Sequence, residues 1–595
     1  MPLYRAPVDE VMFLLTDVLK VARYDNLPGF ADLTPDLALA VLGEAAKLCE
    51  RVLQPLNQSG DQEGCARHQD GRVTAPKGFK EAYRQYAAGG WMGISAPTEY
   101  GGQGLPGLLT VVVNEFMSSA NMAFAMYPGL TQGALTTILI HGTSEQKARY
   151  VPKMVEGPWT GTMNLTEPHC GTDLGLLRTK AEQQADGSYR ITGTKIFISA
   201  GEHDLAENIV HLVLARVEGA PSGIRGVSMF IVPKILPNPD GSLGARNAVS
   251  CGAIEQKMGI HGNATCVMNY DGATGWLIGP ENRGINTMFT MMNEARLGVG
   301  VQGLAVSEVA YQNAAAYARD RLQGRALTGA KFPDQPADPL VVHPDVRRML
   351  MTMRAFNEAA RALVMWTALQ GDVSHRAGEP TSRRVAEDHM ALLTPVIKGV
   401  LTDRGFVNAV LAQQIYGGHG YIAAHGMEQF VRDARIAMLY EGANGIQALD
   451  LVGRKLAQDN GRALQAFFGE VQNYIMQHGG EAMKPYVDPL TTALVHLRQA
   501  TIWLTRNAPA KPDDAGAGAT DYLHMMGLVV LGYMWCRIVE AAMTRLSDDA
   551  VAERMRGKLI TGRFFVERML PATELQLARI RLGSANVMEL PAESF

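Results

Sequence analysis

The segment MNLTEPHCGTDLG, residues 163–175, stands where the chain changes from helical to β-strand patterning. Before it, apolar residues recur at three- and four-residue intervals in stretches such as LLTVVVNEFMSSANMAFAM, which is the spacing of a helix. After it, short β-branched stretches such as GSYRITGTKIFISAG are separated by Gly, Asn and Asp turns, as in an all-β region. The sequence therefore predicts helices followed by a β insert that begins near this segment.

The rest of the chain divides by the same change of pattern. Long helical stretches return after about residue 281, and a further, mostly helical region follows residue 456. Within that region the Pro-, Ala- and Gly-rich stretch RNAPAKPDDAGAGATD, residues 506–521, predicts an exposed loop. The predicted class is mostly α with a central β domain. It has five parts: 1–35, 36–158, 159–280, 281–455 and 456–595.

Composition excludes several classes of protein. The 595 residues are 47% hydrophobic and 19% charged with a net charge of -4, which indicates neither nucleic-acid binding nor membrane-surface binding. The six cysteines form no CxxC pair, which favours reduced thiols in the cytoplasm. The apolar run VMFLL has acidic flanks unlike those of a signal peptide. The stretch MMGLVVLGYMW is too short to cross a bilayer and predicts a buried core helix. We therefore expect a cytoplasmic protein without membrane insertion.

Two short motifs predict no site. The stretch GQGLPG, residues 102–107, fits the glycine pattern of a dinucleotide-binding loop, but Pro and Gly break its surroundings and no parallel α/β unit encloses it. His169 and Cys170 are adjacent residues of metal-ligand type, but no spaced second pair completes a site. We therefore expect neither a Rossmann cofactor nor a metal ion.

An acidic residue stands beside glycines in LYEGANGIQALDLVGRKL, residues 439–456. Asn444 and Gln447 have the spacing of a capping box, which predicts that a helix starts just after Glu441. Working side chains are often held at such loop positions. The segment alone leaves two interpretations open, a solvated carboxylate near a helix dipole and a catalytic carboxylate.

Five segments occur in one order along the helical, β and helical regions. They are MNLTEPHCGTDLG (163–175), GTKIFISAGEHD (193–204), NEARLG (293–298), QIYGGHGY (414–421) and LYEGANGIQ (439–447). Together they resemble the acyl-CoA dehydrogenase family of flavoproteins over about residues 36–456. The two terminal extensions resemble a subgroup of large bacterial members that includes 3-methylmercaptopropionyl-CoA and fatty-acyl-CoA dehydrogenases. The resemblance implies a helical domain, a β-barrel and a four-helix bundle, followed by the additional helical domain.

The resemblance implies an FAD cofactor. Residues of MNLT correspond to contacts along the isoalloxazine, Phe197 to an aromatic wall and Ser199 to a hydroxyl near flavin N5. Arg321 corresponds to the arginine on the pyrophosphate, a role that suits a planar cationic fork. Ala443 replaces the family's Thr or Ser, so a side-chain bond to the cofactor is lost or replaced by backbone. The implied cofactor residues are Met163, Leu165, Thr166, Phe197, Ser199, Arg321, Gln414, Gly417, Gly418, Ala443 and Asn444.

The resemblance also implies a chemistry. Glu441 corresponds to the base that takes the α-proton of an acyl-CoA thioester while flavin N5 accepts the β-hydrogen as hydride. The Glu441 backbone N–H and a ribityl hydroxyl of FAD are expected to stabilise the thioester oxygen. For Arg296 an ordinary structural ion pair is the alternative to a substrate role. The positions that correspond to the substrate side are Thr172, Asn293, Arg296 and Gly442.

The expected function is the α,β-dehydrogenation of an acyl-CoA to the trans-2-enoyl-CoA. The implied partners are an electron-transferring flavoprotein and a second copy of the chain in a homodimer. Two substrates stay open, a medium- or long-chain fatty acyl-CoA and 3-methylmercaptopropionyl-CoA. Two other functions also stay open: an acyl-CoA oxidase that uses oxygen, and a non-catalytic member that binds DNA or a partner protein. The mixed charge of the chain after residue 456 argues against the second of these.

Overall fold

A computed structural model describes residues 2–595. The chain forms two compact units: one is Glu44–Gly298, and the other joins the chain up to Gly43 with Val299–Phe595. The predicted class, mostly helical with a central β domain and a helical extension, is confirmed.

Six helices precede the β domain along the chain. They are α1 (Val8–Phe13), α2 (Pro35–Leu48), α3 (Pro55–Glu63), α4 (Phe79–Ala88), α5 (Gly107–His141) and α6 (Ser144–Glu156). The N-terminus of α6 is a capping box, because the Thr143 hydroxyl accepts the backbone N–H of Gln146 and the Gln146 side chain accepts that of Thr143. α5 is kinked at Asn121, whose backbone is non-helical and whose Oδ1 accepts the N–H of Phe124.

The β domain is a ring of strands. A short antiparallel pair precedes it between α3 and α4, formed by β1 (Ala66–Arg67) and β2 (Val73–Thr74). The other strands are β3 (Trp159–Asn164), β4 (Lys180–Gln183), β5 (Tyr189–Ser199), β6 (Asn208–Val217), β7 (Val227–Pro233), β8 (Ile235–Pro237), β9 (Leu243–Arg246), β10 (Val249–Ile254) and β11 (Thr265–Leu277). The order β10-β11-β5-β4-β6-β3 forms the main path, and β7 pairs with both β11 and β6. These pairings close β11, β5, β4, β6 and β7 into a barrel.

The strand β6 contributes to two hydrophobic cores. Its side chains are buried along most of its length, as expected for a strand that is covered on both faces. Leu212 and Leu214 pack with helical residues such as Tyr150. The alternate residues Val213 and Ala215 belong to the core inside the barrel. β6 therefore helps to hold the barrel against α5 and α6.

The second unit contains the helical bundle. Its helices are α7 (Gly284–Asp320), which begins in the first unit, α8 (Pro344–Arg376), α9 (Pro380–Ile415), α10 (Gly418–Tyr421), α11 (Met427–Ala437) and α12 (Asn444–Asp450). α8 and α9 each begin with proline, whose fixed φ and missing N–H suit the first position of a helix. The turn between α11 and α12 carries Glu441.

The C-terminal extension packs around one apolar helix. Its helices are α13 (Arg462–Gln477), α14 (Lys484–Asn507), α15 (Pro512–Thr544), α16 (Ala552–Arg568), α17 (Ala572–Arg581) and α18 (Ala585–Met588). The predicted loop at 506–521 is largely wrong, because only a short break separates α14 from α15 and the glycine-rich stretch is the first part of α15. Pro512 at the first turn and two aspartates after it favour a helix start, and Gly518 lies against Leu504 and Ile580.

The N-terminal extension belongs to the same unit as the C-terminal one. Lys558 of α16 is buried and is bonded to Glu10 of α1 and, at 2.8 Å, to Glu358 of α8. Burial opposes ionisation of Glu358, but Lys558 and a neighbouring arginine hold its pKa below the ordinary value. One buried cation therefore ties both extensions to the bundle.

Two helices are long and apolar enough to cross a membrane by length and composition. They are α5 and α15, and 83% and 89% of their most apolar windows are buried inside the protein. Such burial is what a core helix shows, in agreement with the prediction of a buried helix at MMGLVVLGYMW.

Candidate functional site

The first two predicted flavin segments lie side by side on the β domain. The Thr162 hydroxyl donates to the Ser199 carbonyl at 2.7 Å, and the backbone N–H of Ile196 donates to the Thr166 carbonyl at 2.9 Å. These bonds join the end of β3 and the loop after it to the end of β5. The structure thus brings together the predicted cofactor residues Met163, Leu165, Thr166, Phe197 and Ser199.

A buried ion pair anchors this loop. Lys195 is fully buried, and its ammonium donates to the Leu165 carbonyl at 2.9 Å and to Glu167 at 2.9 Å. The Glu167 carboxylate also accepts the backbone N–H groups of Arg178 and Thr179 and the Thr179 hydroxyl. Burial lowers the pKa of Lys195 to about 8 against the pull of Glu167. Burial opposes ionisation of Glu167, but Lys195 and the hydrogen bonds hold its pKa below the ordinary value.

Phe197 presents an apolar face next to this loop. Its φ is 58°, in the left-handed region that a bulky residue rarely adopts, and Ala200 nearby has φ 54°. The Phe197 side chain is 60% exposed, although it lies within a strand of the barrel. Met163 and Leu165 are partly buried against the core. An exposed ring and two apolar side chains, beside the hydroxyl-bearing Ser199, fit the flat face and polar edge of an isoalloxazine.

The loop after MNLTEP brings three residues of metal-ligand type together. One ligand atom each of Glu167, His169 and Cys170 lies within 4.8 Å of the others. Glu167 already accepts from Lys195 and its other donors, and the His169 Nε2 lies 3.0 Å from the Leu176 carbonyl, to which it must donate. The contacts therefore fix the loop. Thr172, predicted on the substrate side, follows this cluster and is exposed.

The predicted substrate residues of α7 differ in burial. Asn293 is exposed, whereas Arg296 is buried. The Arg296 guanidinium lies 6.0 Å from the centre of the Phe289 ring, at the limit of a cation–π contact.

The turn between α11 and α12 holds Glu441 in an unusual conformation. Glu441 has φ 56° and Gly442 has φ 85°, so two successive residues are left-handed. The hydroxyl of the preceding Tyr440 donates to the side-chain oxygen of Gln302 on α7. Burial, and then the Glu441 charge, raises the pKa of Tyr440 well above its usual value, so this hydroxyl stays protonated and remains a donor. The turn is held in a conformation that glutamate itself does not favour.

The predicted capping box after this turn is wrong. α12 begins at Asn444 with Ala443 at the cap position, and no side chain caps the helix. The Gln447 amide instead donates backwards to the carbonyls of Glu441 and Gly442, at 3.2 and 3.0 Å. Gln447 thus holds the turn, a role that the capping spacing did not predict.

A buried lysine supports the same turn. Lys398 of α9 is fully buried, and its ammonium donates to the Gly442 carbonyl and to the Asn444 Oδ1, both at 2.8 Å. Sequence reasoning missed both Lys398 and Lys195. The available signal was a single lysine inside an apolar run, in TPVIKGVL and in GTKIFIS, because lysine is almost never fully buried unless it is paired.

The remaining predicted cofactor residues, Arg321 and those of the QIYGGHGY segment, form a face at the ends of α7 and α9. Tyr317 and Tyr416 stack with ring centres 4.0 Å apart, and the Tyr317 hydroxyl lies 2.9 Å from His419 Nδ1. Because the N–H of Arg321 bonds to the Tyr317 carbonyl, the stack also places the start of the loop after α7. Gly417 has φ 57°, and a Cβ there would meet no protein atom within 4 Å. The predicted cofactor residues of this face are all exposed: Arg321, Gln414, Gly417 and Gly418.

Comparison with known proteins finds family profiles along most of the chain. The profile of the acyl-CoA dehydrogenase N-terminal domain matches residues 39–158, that of the middle domain 162–273 and that of the C-terminal domain 282–456. An acetyl-CoA dehydrogenase C-terminal-like profile matches residues 467–591. The chain is 41% identical to the 3-methylmercaptopropionyl-CoA dehydrogenase of Ruegeria pomeroyi, over 97% of this chain and 98% of that one.

The chain belongs to the acyl-CoA dehydrogenase family. It is also 34% identical, over the full length of both chains, to the broad-specificity linear acyl-CoA dehydrogenase FadE5 of Mycobacterium tuberculosis. The structure of an acyl-CoA dehydrogenase from Bacillus anthracis in complex with FAD shares the fold, with a TM-score of 0.74 at 20% identity, over 96% of this chain and 91% of that one. The family binds FAD, so this protein is an FAD-dependent acyl-CoA dehydrogenase that acts on the CH–CH bond of an acyl-CoA.

Phe197 has a left-handed backbone and an exposed ring, and a Cβ on Gly417 or Gly418 would meet no protein atom within 4 Å. Both features suit the dehydrogenase's cofactor. The Asn444 side chain is engaged within the protein, since its Oδ1 accepts from Lys398 and its Nδ2 lies 2.7 Å from Asp403. A contact of Asn444 with FAD would therefore use its backbone, as would one of Ala443. The individual cofactor contacts of this dehydrogenase stay predictions.

Proposed function

We propose that Glu441 is the base of this dehydrogenase and removes the α-proton of an acyl-CoA thioester. The observation that carries the proposal is the left-handed backbone of Glu441, with φ 56°. Non-glycine residues in this region are strained by about 1–3 kcal/mol and cluster at active sites. Gln447, Lys398 and the Tyr440–Gln302 contact together hold Glu441 in this conformation.

The residues of the turn divide the chemistry among them. The Glu441 carboxylate accepts the α-proton, and its backbone N–H donates to the thioester oxygen as negative charge develops there. Gly442 lets the backbone of the turn approach the thioester closely. FAD, when bound, supplies the two-electron acceptor that completes the oxidation. Met163, Leu165, Thr166, Phe197 and Ser199 hold the ring system, Arg321 the pyrophosphate, and Gln414, Gly417, Gly418, Ala443 and Asn444 the remaining cofactor contacts.

We place Thr172, Asn293 and Arg296 on the substrate side. Both open substrates have support: the relative at 41% identity is named for 3-methylmercaptopropionyl-CoA, and the relative at 34% is named for linear acyl-CoAs. With a fatty acyl-CoA, the reaction is the first oxidation of β-oxidation. The electrons then pass to an electron-transferring flavoprotein in the cytoplasm. In this proposal the predicted domains 159–280 and 281–455 bear the cofactor, and 456–595 is an added helical domain.

A homodimer is the proposed assembly, because an apolar surface lies beside the face at the ends of α7 and α9. Tyr421 is 84% exposed and Ile422 is 53% exposed, and Val407 and Val410 of α9 are exposed as well. An interface between two copies of the chain would bury these apolar side chains. Light scattering of the FAD-loaded enzyme should report two chains. A tetramer would contradict this assembly.

The base is tested by Glu441→Gln, which keeps the size and the backbone N–H but removes the carboxylate. FAD content and acyl-CoA binding should survive, and anaerobic single-turnover flavin reduction should slow by about 10²–10⁴ or more. The matched control is Glu428→Gln on α11, which removes a carboxylate paired with Arg432. That variant should reduce at the wild-type rate. Near-normal reduction in Glu441→Gln would show that another residue is the base.

Substrate and acceptor are tested together. Butyryl-, octanoyl-, palmitoyl- and 3-methylmercaptopropionyl-CoA would each be assayed with ferricenium, and flavin bleaching should single out one class. Peroxide release in air during the same series would indicate an oxidase instead. Absence of bleaching with every thioester, together with DNA retention, would indicate the non-catalytic alternative.

A further inference from the structure

A chain of hydrogen bonds runs from the Glu441 turn into the C-terminal extension. The Lys398 ammonium donates to the Gly442 carbonyl and to the Asn444 Oδ1. The Asn444 Nδ2 donates to the Asp403 Oδ1 at 2.7 Å. The other oxygen of Asp403 lies 3.0 Å from the Nε2 of His524. The last member of this chain lies on α15, far along the sequence from the turn.

One ring nitrogen of His524 is hydrogen-bonded and the other is buried without a partner among the described residues. A carboxylate oxygen only accepts, so His524 Nε2 carries the proton and donates to Asp403. The other ring nitrogen, Nδ1, is buried and makes no hydrogen bond in the described structure. An unsatisfied buried acceptor destabilises the folded state. An apolar side chain would avoid this cost, so the bond to Asp403 is the feature that accounts for a histidine here.

The two helices that carry Asp403 and His524 approach each other closely at glycines. A Cβ on Gly399 of α9 would lie 2.6 Å from a methyl of Leu523, and a Cβ on Gly527 of α15 would lie 2.7 Å from a methyl of Val400. Both distances are shorter than real Cβ contacts, so a Cβ at either position would force the Leu523 or Val400 side chain, or the helices themselves, to shift. Close packing on both sides of His524 sets the position of its ring relative to α9.

We propose that His524 is a positioning residue for the Glu441 turn, acting through Asp403, Asn444 and Lys398. Asp403 orients the Asn444 amide together with the Gly399 carbonyl and the Thr402 hydroxyl. The Asn444 Oδ1 in turn holds the Lys398 ammonium, which donates to the Gly442 carbonyl of the turn. The C-terminal extension is therefore part of the apparatus that aims the carboxylate. This inference rests on the proposed function of Glu441.

The test compares three substitutions of His524 with one control. His524→Leu removes the bond to Asp403, His524→Gln keeps a donor at the reach of Nε2, and His524→Asn is polar but too short. The control is His496→Leu on α14, which removes a histidine bonded at 3.0 Å to Thr573 within the same extension. Each enzyme would be loaded with FAD and reduced anaerobically by the thioester that bleaches the wild-type flavin fastest. Melting temperature, FAD content and thioester affinity would be measured alongside.

Small displacements of reacting groups cost about 10²-fold in rate. His524→Leu and His524→Asn should slow flavin reduction about 10- to 100-fold with little change in thioester affinity, and His524→Gln should recover most of the rate. His496→Leu should lower only the melting temperature. Wild-type reduction in the Leu or Asn variant, or equal slowing in the control, would overturn the proposal. If flavin reduction is also normal in Glu441→Gln, the assignment of Glu441 as the base has failed. If flavin reduction is normal only in the His524 variants, the positioning role of His524 alone has failed.

Discussion

Replacing Lys195 with methionine tests how the flavin loop is built. Lys195 has no exposed side-chain surface, and its ammonium bonds both the Leu165 carbonyl and the Glu167 carboxylate. Methionine has a similar length but no charge, so Lys195→Met leaves Glu167 buried without its cation. The loop that carries the predicted flavin contacts then loses its main link to β5.

The loss in the free energy of unfolding depends on the hydrogen bonds that Glu167 keeps. Breaking a buried ion pair by removing one partner costs about 3–5 kcal/mol. Glu167 keeps two backbone N–H donors and the Thr179 hydroxyl, which places the loss near the lower end, at about 3 kcal/mol. Because the urea dependence of unfolding is about 1–3 kcal/mol per M for small proteins and rises with protein size, the midpoint of unfolding should fall by about 1 M or less.

The assay follows FAD fluorescence of the holoenzyme as urea is added, because released FAD reports loss of the loop. Lys195→Met should release FAD at lower urea, and adding Glu167→Gln should restore at least half of the shift by removing the stranded charge. The exposed Lys180 of β4 gives the control, since Lys180→Met should leave the midpoint unchanged. A Lys195→Met midpoint equal to that of the wild type would refute the anchoring role.

Two further experiments test buried ionisable groups, the histidines of the β domain and Lys558 of the C-terminal extension. Burial, and then the Lys234 charge, lowers the pKa of His203 and of His211 to about 3, while the unfolded chain titrates near 6.5. The stability that depends on their neutral form is therefore present above pH 6.5 and is lost as the pH falls toward 3, by about 2 kcal/mol per histidine at pH 5. Melting temperatures from pH 7 to 5 should fall, and His203→Gln with His211→Gln should flatten that fall; an unchanged slope would place the titration elsewhere. Lys558→Met should cost about 3–5 kcal/mol in urea unfolding, because Glu10 and Glu358 lose their shared cation. A wild-type unfolding midpoint for that variant would contradict the role given to Lys558.

The fold was largely readable where local patterns agree with tertiary packing. The long helical stretches and the buried run in α15 needed only short-range spacing. The stretch at 506–521 misled because its Gly and Ala content is typical of a loop. In the structure Gly518 lies against Leu504 and against Ile580, which is distant along the chain. Tertiary contacts of this kind leave no local signal in the sequence.

The sequence indicated the segments of the candidate site, but it did not reveal the contacts that hold these segments in place. Lys195 bonds a carboxylate 28 residues away, and Lys398 bonds a carbonyl 44 residues away. Such pairs depend on the register of strands and helices, which one sequence does not reveal. The backbone of Glu441 was also beyond prediction, because glutamate has no local preference for positive φ. The surrounding contacts impose that conformation.

The left-handed backbone of Glu441 has a consequence for laboratory evolution. Glycine would relieve strain of about 1–3 kcal/mol at this position. The greater conformational freedom of glycine in the unfolded chain would lower the stability of the fold by only about 0.5–1 kcal/mol. If Glu441 is the base, a selection for heat resistance alone would favour a glycine there and enrich enzymes that survive heating but no longer turn over. Screens for durable variants of this enzyme should therefore score turnover in every round.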